Sequence, residues 1–304
     1  MKTLKLTLFF LFLVQSLLAQ IDTRNWCKGH YFGDEKKNHE FIQRCMADAS
    51  ILKLAKSDDV KKIPLRIGII QEDKEQDLAI KEIELHRAVA GLNRAFQDAN
   101  FVFYLSQVDI IESPLKLEDL SGDQYSVYNA FSDLHDIANM ISIYVFDHRA
   151  DFCMQRGNSI SCGRTGGFSY ILSERTTNVV LSRFDITDVK VLAHELGHFW
   201  GLYHTFEEAQ FGKDNFDPEL CGQLGDRICD TPPDPGTLYE IYVNYSSCEL
   251  FRLTNSEGIE YKPMIENYMS YYKPCYLKEY AFTPQQLEVM MIAATQPIRS
   301  KYLR

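Results

Sequence analysis

Beyond Leu18 the chain has no long apolar run, and nowhere does it carry a block of lysine and arginine. The first absence leaves no candidate for a membrane span, which needs about 20 consecutive apolar residues. The second, together with a net charge of −10, argues against nucleic acid or an anionic membrane as the partner. Internal repeats and low-complexity tracts are also missing, so solenoid and disordered classes drop out. What remains is a globular chain of 304 residues with ordinary apolar and charged fractions of 45% and 24%. That length suits one large domain or two unequal ones.

The run before Leu18 is of another kind. Lys2 and Lys5 precede an apolar stretch from Leu6 to Leu18, and Ala19-Gln20 follows. A charged start, a short apolar middle and a small residue are the parts of a secretory signal, here cleaved near Ala19. No cysteine follows Ala19, so no lipid anchor is signalled. Residues 1–19 are therefore expected to be removed and the remainder secreted as an extracellular monomer without a membrane anchor. The eight cysteines, at 27, 45, 153, 162, 221, 229, 248 and 275, fit that setting. An even count in an exported chain favours disulfides over metal thiolates. Cys153 and Cys162 flank a loop short enough to close locally, and the last four would staple the region where regular structure thins out.

Apolar spacing organises the middle of the chain. Ile63–Ile70 reads as a strand, and residues 78–99 place Leu78, Ile83, Leu85, Val89, Leu92 and Phe96 at helical intervals. A strand over 101–111, a weaker helix over 127–140 and a strong strand over 141–147 follow. This alternation predicts an α/β layer with several parallel strands. Gly167–Leu172 and Asn178–Ser182 are shorter strand candidates, Asp188 is placed to cap a helix, and Pro284 opens a last helix. Between Phe206 and Ser256 the sequence is loop-rich.

The stretch "VLAHELGHFWGLYHTF", Val191 to Phe206, puts three histidines and a glutamate into an otherwise apolar helix. His194 and His198 are four apart, so their imidazoles share a helix face one turn apart and can share one zinc ion. Glu195 lies near that point without being needed as a ligand, which suits a base acting on water. His204 cannot reach the same face if the helix continues. Gly201 lets the backbone take positive φ, leave the helix and bring His204 back as a third ligand. Three protein ligands leave a fourth position open, the arrangement of a catalytic zinc. The pattern H-E-x-x-H-x-x-G-x-x-H would arise by chance with a probability on the order of 10⁻⁵.

That pattern resembles the zinc-binding signature of the metzincin metalloproteases. Metzincins also carry a methionine in a tight turn beneath the zinc, and "ENYMSYY" offers Met269 for it. Thr205-Phe206 after the third histidine, "GDRICDTPPDP" (225–235) and "FTPQQ" (282–286) complete a set that looks like the pappalysin family, cytophagalysin-like members included. The resemblance covers about residues 63–295 and is dense only from 191 onward. It implies a metzincin-type zincin: a mixed, mostly parallel twisted sheet with helices in an upper subdomain of about 61–201. The active-site helix would lie at the cleft floor. An irregular, disulfide-stapled lower subdomain of about 202–304 would hold the Met-turn and C-terminal helix. Residues 20–60 would be an N-terminal extension or pro-segment, and 61–304 the catalytic domain.

The activity implied is hydrolysis of internal bonds in a protein or peptide substrate, with Glu195 taking a proton from water and passing it to the leaving amine. Tyr271 resembles a pappalysin tyrosine that hydrogen-bonds the tetrahedral intermediate, although it also reads as a packed residue in a tyrosine-rich turn. An edge strand would pair with extended substrate, and Gly166–Leu172 and Asn178–Ser182 are both candidates. Asp226, Asp230 and Thr231 could hold a structural calcium, or simply stabilise a turn. Cys27 could block the zinc from a latent pro-segment, but Lys28 intervenes before Gly29, and Cys45 is an alternative partner. In the family, residues after the Met-turn help shape the pocket next to the zinc. Here "YYKPCY" (271–276) has no carboxylate until Glu279, so the basic-residue preference of some relatives is not expected. The competing reading is a catalytically silent or latent metzincin scaffold that binds peptides.

Overall fold

A computed structural model describes residues 40–43, 59–73, 80–120, 125–156, 159–171, 177–207, 220–236 and, with short interruptions, 243–304. The signal segment, Cys27, Cys45 and nearly all of the 20–60 extension lie outside the described residues. Strand β1 (Lys61–Gln71), helix α1 (Glu82–Ala95) and strand β2 (Phe101–Glu112) form the first crossover unit. A short helix α2 (Leu117–Leu120) and α3 (Tyr125–His135) lead to β3 (Ile141–Phe146). A hairpin of β4 (Ala150–Arg156) and β5 (Ser159–Thr165) comes next, then β6 (Gly167–Ser169) and β7 (Asn178–Ser182). The five-stranded sheet has the order β2-β1-β3-β7-β6; β6 alone runs antiparallel to its neighbour.

Alternation along the strands decides which layer each residue joins. Ile63, Leu65 and Ile67 of β1, with Ile141, Ile143 and Val145 of β3, pack on one face with Leu85, Val89 and Leu92 of α1. Ile70, Tyr144 and Phe146 point to the other face, where Leu117 and Leu120 of α2 and Tyr128 and Phe131 of α3 cover them. With both faces covered, the central strands are mostly apolar, and Arg66, Ser142, Asn178 and Ser182 are buried polar residues among them. Asn93 pins α1 to β2: its side chain donates to the Phe103 carbonyl and accepts from the Phe103 amide, at 3.0 and 2.7 Å.

Helix α4 (Val189–Phe199) packs Leu192, Ala193, Leu196 and Phe199 on the first face. Asp188 caps it by accepting from the Lys190 amide at 2.9 Å. After the loops come a small hairpin of β8 (Val243–Asn244) and β9 (Glu249–Leu250), then α5 (Pro284–Thr295) and α6 (Pro297–Ser300). Val289, Met290 and Ile292 of α5 join the same core as β1 and α4, so the core is continuous across the 201/202 boundary. Disulfides Cys221–Cys229 and Cys248–Cys275 tie the loop-rich part. In the β4–β5 hairpin the ladder sets Cys153 opposite Cys162.

The strands at 61–71, 101–112, 141–146 and 178–182 and the helices at 82–95, 189–199 and 284–295 match the expected ones within a few residues. The weak helix stops at His135, and the strand expected over Gly167–Leu172 narrows to Gly167–Ser169. The β4–β5 hairpin was not foreseen.

Candidate metal centre and active site

Helix α4 ends as Gly201 allows. Gly201 has φ of 102°. Its amide donates to the His198 carbonyl at 2.8 Å and the Leu202 amide to the Gly197 carbonyl at 3.0 Å, the paired bonds of a Schellman ending. The chain then doubles back, and His204 Nε2 arrives 3.1 Å from His198 Nε2, which is itself 3.1 Å from His194 Nε2. Among the described residues this is the one group of histidine, cysteine, aspartate or glutamate side chains whose ligand atoms all lie within 4.8 Å of one another.

The outer nitrogens explain the inner ones. His194 Nδ1 lies 2.7 Å from the Tyr268 carbonyl, and His198 Nδ1 2.7 Å from the Leu202 carbonyl. A carbonyl only accepts, so each Nδ1 carries the proton and each Nε2 presents a lone pair. His204 Nδ1 lies 3.4 Å from Glu207 Oε2, near this carboxylate but without a hydrogen bond to it. Burial, then the neighbouring imidazoles, lower the pKa of His194 and His198 well below the usual histidine value, which keeps them neutral. Lone pairs aimed at one another across 3.1 Å repel unless a cation sits among them. The donor set, nitrogen only and three in number, suits zinc.

The floor and wall come from the loop-rich part. Met269 is fully buried in a turn held by its amide donating to Asn267 Oδ1 at 2.8 Å, and its carbonyl accepts from the Thr205 amide at 3.2 Å. Gly197 faces it: a Cβ there would stand 2.5 Å from Met269 Sδ. The Tyr271 ring lies 5.5 Å from the His194 ring and 4.8 Å from that of His204. Glu195 is fully buried on α4 beside His194. Of the three residues considered for calcium, Asp226 and Thr231 come together, with Thr231 Oγ1 donating to Asp226 Oδ1 at 2.8 Å. Asp230 turns to α5, accepting from Thr283 Oγ1 at 2.6 Å and the Gln285 amide at 2.8 Å. Of the two candidate substrate-pairing strands, β7 is enclosed between β3 and β6, while β6 is the edge strand among the described residues.

Residues 134–294, more than half of the chain, match the Peptidase M43 family, described as pregnancy-associated plasma protein-A. The chain belongs to the pappalysin family. An "Extracellular metalloprotease" of Arthroderma gypseum is 33% identical to this pappalysin over 230 residues, 70% of the chain and 66% of that protein. One of the same name from Colletotrichum graminicola is 34% identical over 107 residues, 35% of the chain and 31% of that protein. The chain thus spans less than two thirds of the length of either. Two solved structures share the fold. A promirolysin variant of Tannerella forsythia has a TM-score of 0.54 at 17% identity, covering 90% of this chain and 97% of that one. Mirolysin in complex with a small compound has a TM-score of 0.52 at 18% identity, covering 81% and 96%.

Sequence reasoning missed three groups that hold the pappalysin site together. Asp234 is fully buried and accepts from Thr205 Oγ1 at 2.6 Å, Tyr272 OH at 2.9 Å and the Gly236 amide at 2.8 Å. It thereby clamps the residue after His204 to the one after Tyr271. Arg299, also fully buried, donates from Nε to the Phe199 carbonyl at 2.7 Å, where α4's last carbonyls need partners and its dipole favours a cation. Glu207 was the third. Only its position, three after His204, could have suggested a role.

Proposed function

We propose that this pappalysin is a secreted zinc endopeptidase that hydrolyses internal bonds of proteins or peptides. His194, His198 and His204 would hold the metal. The observation that carries the reading is the convergence of three Nε2 lone pairs within 3.1 Å of His198, with Nδ1 of both helix ligands tied to backbone carbonyls. Zinc, when bound, acidifies water and draws electrons from the scissile carbonyl. Glu195, next to His194 and shielded from bulk solvent, takes the water's proton and hands it to the leaving amine. Tyr271, packed on His194 and His204, donates to the developing oxyanion. Substrate adds as an extended strand at β6, the edge strand among the described residues.

The test takes the chain from Gln20 onward, with and without Glu195→Ala, against a peptide mixture, with zinc measured in both. Internal cuts by wild type and none by the variant, both zinc-loaded, support the reading. No cuts by a zinc-loaded wild type before or after limited proteolysis of residues 20–60 would leave a silent peptide-binding scaffold. Cuts appearing only after that proteolysis would indicate latency, with Cys27 as its candidate residue.

Calcium also stays a proposal, at Asp226, Asp230 and Thr231, which line one cavity. Asp226 Oδ2 is buried with no hydrogen-bond partner among the described residues, and the residues around it line a cavity of about 260 Å³. A melting temperature unmoved by calcium after chelation would remove it.

A further inference from the structure

Two short segments each give one side chain to the histidine cluster and the next one to Asp234. In the first, His204 belongs to the cluster, while Thr205 Oγ1 donates to Asp234 Oδ2 at 2.6 Å. In the second, the Tyr271 ring lies against those of His194 and His204, while Tyr272 OH donates to Asp234 Oδ1 at 2.9 Å. Asp234 itself stands in a turn set by Gly236, which has φ of 82° and whose amide donates to Oδ1 at 2.8 Å. A Cβ on Gly236 would stand 3.5 Å from that of Phe206, so the same turn packs on the first segment. The Phe206 ring lies 4.8 Å from the His204 ring and 4.6 Å from that of Tyr271. The rings of His204, Phe206 and Tyr271 thus form one cluster, and one carboxylate bonds the segments that carry them.

A fully buried carboxylate is costly unless donors meet it, and an apolar side chain would fill the same space without that cost. What the carboxylate adds is direction, because each bond holds its donor to narrow limits of distance and angle. An oxyanion donor needs such limits: a displacement of about 1 Å costs on the order of 10²-fold in rate. We propose that Asp234 is a positioning residue for peptide-bond hydrolysis, fixing the Tyr271 hydroxyl relative to the metal held through His204. The inference rests on the roles proposed above for Tyr271 and the three histidines. Asp234 meets neither substrate nor metal in this scheme and acts through Tyr272 on one side and Thr205 on the other. Because the oxyanion exists only in the transition state, loosening Tyr271 lowers kcat and leaves KM in place.

The experiment measures kcat and KM on one fluorogenic peptide for zinc-loaded wild type, Tyr271→Phe, Tyr272→Phe and the double variant, with Asp234→Asn and Asp234→Ala beside them. Tyr272→Phe removes only the hydroxyl that reaches Asp234 and keeps the ring. It should lower kcat by about tenfold at unchanged KM, and Tyr271→Phe by about 10²-fold. Once Tyr271 has no hydroxyl there is nothing left to place, so adding Tyr272→Phe should cost less than about twofold more. A merely structural hydroxyl would cost the same in both backgrounds. Asp234→Asn keeps Oδ1 as an acceptor for Tyr272 and the Gly236 amide, and should stay within about threefold of wild type. Asp234→Ala should fall at least as far as Tyr272→Phe; if it does not fold, Tyr272→Phe still carries the test. Equal losses in the two backgrounds, a loss in KM alone, or a Tyr271→Phe as active as wild type overturns the proposal. Affinity for a phosphinic peptide with alanine on both sides of its tetrahedral group repeats the comparison without turnover. Tyr272→Phe should weaken it about tenfold beside Tyr271 and leave it unmoved beside Tyr271→Phe. A failure of catalysis itself is then separate from a failure of Asp234.

Discussion

On one side of α4 stands a sheet whose strands pair over as many as eleven residues and whose two faces are both buried. On the other lie loops with two disulfides, a two-residue strand pair and side chains bonded to backbone. The first region is held by apolar burial and hydrogen-bond ladders. The second is held by Asp226, Asp230, Asp234 and Asn267, each replacing the ladder with its own carboxylate or amide. The candidate site draws on both: two histidines ride on a helix packed to the sheet, and the third, with Met269 and Tyr271, belongs to the loops. Such a division separates rigidity from shape. The sheet and α4 fix where the metal sits, and the loops fix what surrounds it.

The comparison can be tested hardest at its seam. Glu195→Ala should lower kcat/KM by about 10³–10⁴-fold while elemental analysis finds zinc still bound, because the proposed proton carrier is removed and the proposed ligands stay. Withdrawing zinc with a chelator should raise amide exchange in 202–207 and 265–271 by about tenfold or more, and in β1, β3 and β7 far less. Equal loosening of both regions would mean that the metal does not join them.

Smaller changes sharpen the contrast. Replacing both Cys248 and Cys275 by serine opens a disulfide of sequence separation 27, and should cost about 2–4 kcal/mol in denaturant unfolding. Exchange in the sheet should stay as it was. Gly197→Ala drives a Cβ to 2.5 Å from Met269 Sδ and should cost about 1–3 kcal/mol, and the costs of Gly197→Ala and Met269→Ala should be less than additive in the double variant. A single variant as stable as wild type would contradict that packing.

The sheet region carries the mildest expected effect. Burial raises the Asp136 pKa above its ordinary value, despite bonds from Tyr144, Thr177 and Asn178. A raised carboxyl pKa means the folded state holds the proton more tightly. Its stabilising share is complete below pH of about 3.8 and declines as pH rises through the folded value. Asp136→Asn removes that decline, so its stability relative to wild type should climb between pH 3 and pH 7, read by denaturation at several pH values. A flat difference would place the Asp136 pKa at its unfolded value.

The same contrast explains what could be read from sequence. Helix α1 announces itself by period, because burial against one layer repeats along it, and the strand Ile141–Phe146 by a short, nearly unbroken apolar run buried on both faces. The convergence of the three histidines and the turn at Gly201 were legible because a shared ligand point fixes their spacing. The β4–β5 hairpin was not, since "ADFCMQR" and "SISCGRT" mix polar and apolar residues without alternation, and cross-strand bonding, invisible in sequence, decides it. Gly197 carries no local signal of its contact with Met269, which only the folded chain creates. Arg299 would pass for a surface residue in any composition argument. Its burial follows from a carbonyl exactly one hundred positions earlier in the chain.

One contact described above also bears on time. The proton on His194 is held by the carbonyl of Tyr268, 74 residues further along the chain. Closing so long a loop is an entropic expense that local helix formation does not share. Helix α4 can therefore wind early, yet its first histidine offers the correct nitrogen only after the Met269 turn has docked. Metal capture at that nitrogen then depends on the docking of the Met269 turn as well as on the helix.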